Sequence, residues 1–150
     1  MVGRVQRAGR GVAPVVAALA GLDNTSSQVG WFETSKYPDG TPTAYVAAIN
    51  EFGTSRTPAR PFMRPAIATY GPEWLKLMGA AAVQVATGAI TGAAAMDMIA
   101  ARAAGDVGKA IQSVTSPPLA ASTVARKGFD KPLIDTGLMF QSVTHRTVAK

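Results

Sequence analysis

Two rhythms of apolar residues run along the chain: short β-branched or aromatic runs near its ends, and alanine-rich stretches of helical spacing between them. The stretch GVAPVVAALAGL predicts an amphipathic helix within residues 1–22, ending near Gly21. Arg4, Arg7 and Arg10 ahead of it mimic the basic flank of a signal peptide, but Pro14 interrupts a short apolar run and the helix is the better reading. After Asp23, SSQVGWFET reads as a strand and YPDGTPT as a tight turn over Tyr37 to Pro42. Tyr45, Ala48, Ile49 and Phe52 recur at offsets of three and four, so AYVAAINEFG predicts a short helix stopped by Gly53, with a strand as the alternative. In TSRTPARPFMRP, Pro58, Pro61 and Pro65 each remove a backbone donor and restrict the residue before them, which predicts a stiff extended arm or loop over 54–65.

Residues 66–115 carry a helical pattern. Pro72 and Glu73 suit the first turn of a helix through Trp74, Leu75, Met78 and Val85, because proline costs least there. A break near Gly88 and Gly92 separates it from a second helix with Met96, Ile99, Val107 and Ile111. TSPPLAAST is a connector with Ser122 or Thr123 as caps, Asp135 or Thr136 caps a later turn, and Ser142 to Val148 alternates as a strand does. Strands near both ends with helices between them predict an α+β fold. Its small antiparallel or mixed sheet pairs the N- and C-terminal strands and packs against Ala-rich helices, within one domain over 1–150. The uncharged stretch from Leu77 to Met96 has the length of a membrane span, but its Ala, Gly, Thr and Gln residues contribute little to insertion. A close-packed helical hairpin is expected instead.

Charge and residue inventory narrow the chemistry. A net charge of +6 and a pI near 10.1 admit nucleic acid, a membrane surface or an acidic protein as partner, although the fifteen Lys and Arg are dispersed. With no cysteine and His145 as the only histidine, disulfides, thiolate metal sites and a Ser-His-Asp constellation are excluded within one chain. Acidic residues stand singly, so neither a metal nor a cofactor is expected. Asp135-Thr136-Gly137 spells the triplet of aspartic proteases, which needs a second carboxylate from another copy and a β-rich lobe to hold it. Only thirteen residues follow Gly137, and the chain before it is helical by pattern. A structural turn is the stronger reading, with Asp135 and Thr136 accepting backbone N–H groups and Gly137 supplying freedom to turn. Trp31, Phe32 and Tyr37 read as packing residues sooner than as a stacking platform for bases.

Arg56, Arg60 and Arg64 lie on the proline-stiffened segment beside Phe62 and Met63. Such a segment loses little entropy on docking, Arg pairs with carboxylate or phosphate, and Phe fills a pocket. Two placements stay open: Phe62 docks into a partner, or it enters its own core with the arginines solvated.

The order of the motifs carries a resemblance. VGWFETSKYPDGTPTAYVAAINEFGTSRTPARPFMRPAI, followed by PPLAASTVARKGFDKPLIDTGLMFQSVTHRTV, resembles the minor tail or tail-completion proteins of long-tailed double-stranded DNA bacteriophages over residues 28 to 148. The resemblance implies a non-catalytic structural virion protein, made in the host cytoplasm. It would sit at the head-to-tail junction or tail end and form a hexameric or alternatively dodecameric ring against adjacent neck or tail proteins. On this reading Glu51, Phe52, Gly53, Pro58, Arg60, Pro61, Phe62, Arg64 and Pro65 belong to a central motif that reaches a neighbouring subunit, and Asp135, Thr136 and Gly137 to a C-terminal turn. The Ala- and Gly-rich middle departs from the pattern. On the ring reading the positive charge also allows nonspecific contact with DNA in the channel; the competing reading is a basic module that contacts DNA nonspecifically through Arg4, Arg7 and Arg10.

Overall fold

The computed structural model describes residues 11–150. Six helices and two strands follow in the order α1 (Val12–Asp23), β1 (Thr25–Gly30), α2 (Thr43–Phe52), α3 (Met63–Ala86), α4 (Gly92–Ser113), α5 (Ala121–Lys127), α6 (Leu138–Gln141) and β2 (Thr144–Ala149). The fold is α+β, and β1 pairs antiparallel with β2 from Thr25 opposite Ala149 to Gly30 opposite Thr144. The three arginines of the leader lie outside the described residues.

Helix α4 is the centre of the molecule. The two-stranded sheet, α1, α3 and α6 all pack on it. Its buried side is built mainly from small residues, among them Ala95, Ala100, Ala103, Ala104 and Gly108, which lets neighbouring backbones come close. The closest approach is to α1: a Cβ on Gly92 would lie 2.5 Å from the Leu22 nitrogen. Larger side chains close the other end, where Phe62, Ala66, Val107, Ile111 and Met139 form one apolar cluster with Ala47. Asp106 is wholly buried on α4 but accepts from Trp74 Nε1 at 3.0 Å, Arg102 Nε at 3.0 Å and Lys109 Nζ at 2.9 Å. Burial opposes its charge, yet these three donors outweigh it and hold the carboxyl below its ordinary range.

Several elements differ from the sequence expectation. The first strand stops at Gly30, so Trp31 and Phe32 lie beyond it. Helix α3 begins at Met63, within the expected arm, and Pro72 sits in its interior, where it leaves the Ala68 carbonyl without its helical donor. Pro65 occupies the first turn, and Phe62, which precedes the helix, stands at the N-cap position. Helix α5 begins at Ala121 with Ala120 before it, and neither Ser122 nor Thr123 caps it. The break between α3 and α4 falls at Thr87 to Thr91, where expected, and Thr91 Oγ1 caps α4 through the Ala94 N–H at 3.1 Å. No described helix is long and apolar enough to cross a membrane.

Candidate interaction surface at the junction of α2 and α3

Glu51 organises the junction. It lies on the core side of α2 together with Thr43 and Ala47, and is 5% exposed. Its Oε2 accepts the backbone N–H groups of Phe62 at 2.7 Å and Met63 at 2.9 Å, and its Oε1 accepts those of Arg64 at 3.2 Å and Arg64 Nε at 2.9 Å. A helix start leaves its first N–H groups without partners and bears partial positive charge. Here a carboxylate eleven residues upstream of Phe62 satisfies them. Burial works against the Glu51 charge, but the three backbone donors and the guanidinium prevail and hold its carboxyl below the usual range.

The loop between the helices turns back so that this contact can form. Gly53 takes φ +74°, and a Cβ there would stand 2.8 Å from the Ala59 nitrogen, so glycine is required by conformation and by space. Thr54 Oγ1 accepts the N–H of Arg56 at 3.2 Å and of Thr57 at 3.0 Å, and the Arg60 N–H bonds to the Asn50 carbonyl at 2.7 Å. Arg60 is buried, and its Nε and Nη2 donate to the carbonyls of Pro117 at 2.7 Å and Pro118 at 2.8 Å. Pro58 and Pro61, having no N–H, add no donor to be satisfied. The loop is thereby tied to the connector after α4.

Of the two placements open for Phe62, the structure has it in the chain's own core. It is 1% exposed and meets Trp31 edge to face, with ring centroids 5.8 Å apart. Trp31 Nε1 in turn donates to the Met139 carbonyl at 2.8 Å. Glu51, Gly53, Arg60 and Phe62 are thus all engaged within this chain.

What they support is a surface. Phe52 is 71% exposed and Tyr45 60%, and with Ala48 they form a stripe on the outer side of α2. The Arg64 guanidinium lies 5.5 Å from the centre of the Phe52 ring and also donates from Nη2 to the Glu51 carbonyl at 3.1 Å. Arg56, Pro58 and Pro65 are exposed, Pro61 is half-buried, and a hollow of about 170 Å³ opens between Trp31, Ala44, Ala48, Phe52 and Met63. The offsets of three and four that mark α2 as a helix therefore belong to its outer side, apart from the half-buried Ile49.

Asp135, Thr136 and Gly137 lie elsewhere, on a cleft of about 360 Å³ that also receives Tyr37, Asp39, Asn50, Arg126 and Lys127. Thr136 Oγ1 accepts the Leu138 N–H at 3.3 Å in a local turn, whereas the Asp135 carboxylate accepts no hydrogen bond from the described residues; Gly137 holds the N-cap position of α6, so neither expected residue caps it. Gly137 has φ +81° and packs so closely that a Cβ would fall 2.8 Å from Gln141 Nε2. Lys127 donates to the carbonyls of Lys131 and Ile134. Burial lowers its ammonium pKa even though Asp135 and Asp130 favour the charge. Burial first and the Asp135 charge second raise the Tyr37 hydroxyl. Asp39, also in the cleft, is kept low by the Thr41 N–H at 3.0 Å. Among the described residues no group of three or more His, Asp or Glu is placed to hold a metal ion. His145 faces Asp97, its Nε2 at 3.2 Å from Oδ1.

Comparison with family models, curated proteins and solved structures returns no match to this chain.

Proposed function

We propose that this chain is a structural virion protein of a long-tailed double-stranded DNA bacteriophage, placed at the head-to-tail junction or tail end. Copies of it form a ring that completes the tail and helps join it to the head. The ordered motifs of the sequence support the family. The junction of α2 and α3 supports the role: a buried frame of Glu51, Arg60 and Phe62 holds Tyr45, Phe52 and Arg64 outward on a rigid platform. Exposed aromatic side chains with an arginine among them, backed by fixed backbone, are the composition of a protein–protein hot spot. A ring needs one such surface on each subunit and a different one to receive it.

The basic composition supports a nonspecific DNA-binding reading less well. Arg60 is buried against carbonyls, Arg64 pairs with Glu51, and Arg102 and Lys109 pair with Asp106. Electron-microscopic reconstruction of virions tests the proposal: a ring of this chain at the neck or tail end is expected, with unjoined heads and tails when the gene is deleted. Normal infectious particles made without the protein would overturn it. Tight DNA retention that falls steeply with salt, from a chain that never joins a particle, would favour the basic module.

A further inference from the structure

The sheet layer and the helix layer of this fold differ in width. Two packed helices lie about 8–10 Å apart, whereas two neighbouring strands lie about 4.8 Å apart. Helices α3 and α4 pack side by side, but the ribbon of β1 and β2 is seated on α4. Beside β1 an apolar groove of about 310 Å³ therefore runs over α3, lined by Val29, Met63, Ile67, Trp74, Met96 and Ile99. Ile67 stands 53% exposed in it.

Among the described residues the backbone along this groove is unpaired. The Lys150 N–H bonds to the Asn24 carbonyl at 2.9 Å, and these residues continue the register of the ribbon. In an antiparallel pair the hydrogen-bonded positions alternate. Ser26, Gln28 and Gly30 therefore bond to β2, while Ser27 and Val29 turn their N–H and C=O groups toward the groove. By the same phase His145 and Thr147 turn theirs outward from β2. No other backbone partner for these four residues occurs among the described residues. The ribbon has six regular pairs without a bulge, and β1 carries neither a charged residue nor a proline, the usual means of blunting an edge.

We propose that the open edge of β1 receives the outer edge of β2 from a second copy, adding an antiparallel strand that roofs the groove over α3. Among the described residues the ribbon has two open edges of equal length on opposite sides. Pairing β1 of one copy with β2 of the next satisfies both rows in a single repeated contact, as a head-to-tail ring needs. Pairing β1 with β1 would leave every β2 edge open. The inference rests on the ring reading and adds the contact that would build it.

Hydrogen exchange on the full chain, followed as concentration rises, tests it. The amides of Ser27, Val29, His145 and Thr147 should slow at least tenfold in the associated form. Ile67→Glu places a charge in the groove at an exposed site, and Ala149→Pro removes an outward N–H near the end of β2. Each should weaken association at least tenfold while the circular dichroism of the monomer stays as in the wild type. Assemblies whose edge amides still exchange freely and which tolerate both substitutions would overturn the edge contact and leave the ring reading standing. Protection of β1 without β2 would mean a two-fold dimer instead. A chain that remains monomeric, with all four amides exchanging fast, would also overturn the edge contact, and the virion reconstruction tests the ring separately. Protection already present in the monomer and lost when residues 1–10 are removed would give the groove to the chain's own leader and refute a second copy.

Discussion

Replacing Glu51 by Gln isolates the feature that starts α3. The side chain keeps its shape, but one acceptor oxygen becomes a donor and the charge is lost. The Phe62 and Met63 N–H bonds at 2.7 and 2.9 Å then lose their charge assistance, worth about 1 kcal/mol each. At the other oxygen, the new amide group faces the Arg64 N–H and Nε, two donors that it cannot accept. The Arg64 ion pair adds little, since that side chain is 63% exposed. The sum is a loss of about 3 kcal/mol, or a fall in Tm of about 6–12 °C for a chain of this length. Urea unfolding followed by circular dichroism at pH 7 measures it. The folded carboxyl lies below its ordinary value, so its stabilisation is complete above the unfolded pKa and disappears as pH falls through the folded one. The gap between wild type and Glu51→Gln should therefore be widest near neutrality and narrow below about pH 4.5. Asp106 contributes to the same acid window in both proteins, so the difference between them is the quantity to read. Variants within about 0.5 kcal/mol of each other at pH 7, or a gap independent of pH, would refute the reasoning.

Gly92→Ala should cost more than about 2 kcal/mol in urea unfolding, because its Cβ would overlap the α1 backbone, which cannot rotate away as a side chain can. Asp106→Asn should lower stability by about 1–3 kcal/mol at pH 7 and flatten the acid limb of the stability curve, since the charged form is the one its three donors favour. Phe52→Ser should leave Tm within about 2 °C of wild type, as the ring is mostly in water, but reduce self-association about tenfold by sedimentation.

The parts of the fold legible in the sequence are those decided by neighbouring residues. The C-terminal strand alternates, Gly53 ends α2, and the glycines near 88–92 separate the long helices; all three are local signals that the structure retains. The start of α3 is not local, because its cap is a glutamate on the preceding helix. With that donor set satisfied, the helix begins at Met63 and carries Pro72 in its interior, where the pattern alone puts a first turn. The inner side of α2 is hidden for a related reason: Thr43 and Glu51 are polar yet buried, each hydrogen-bonded, while Tyr45 and Phe52 are apolar yet exposed. A rule that sends apolar residues inward places Ala47 correctly but misplaces Thr43, Tyr45, Glu51 and Phe52.

That inversion bears on how the central motif is to be understood. A stiff arm that docks by its own Phe62 would keep Arg60 and Phe62 free until assembly. Both are instead buried in the single chain, so their substitution should act first on folding and only through folding on any partner. Phe52 and Arg64 have the opposite standing, since little of the fold depends on the Phe52 ring or on the exposed part of the guanidinium. Within one motif, then, the residues divide by burial into those that hold the backbone and those that such a backbone displays. A Phe62→Ala chain that unfolds and a Phe52→Ser chain that folds but fails to associate would be two consequences of the same arrangement.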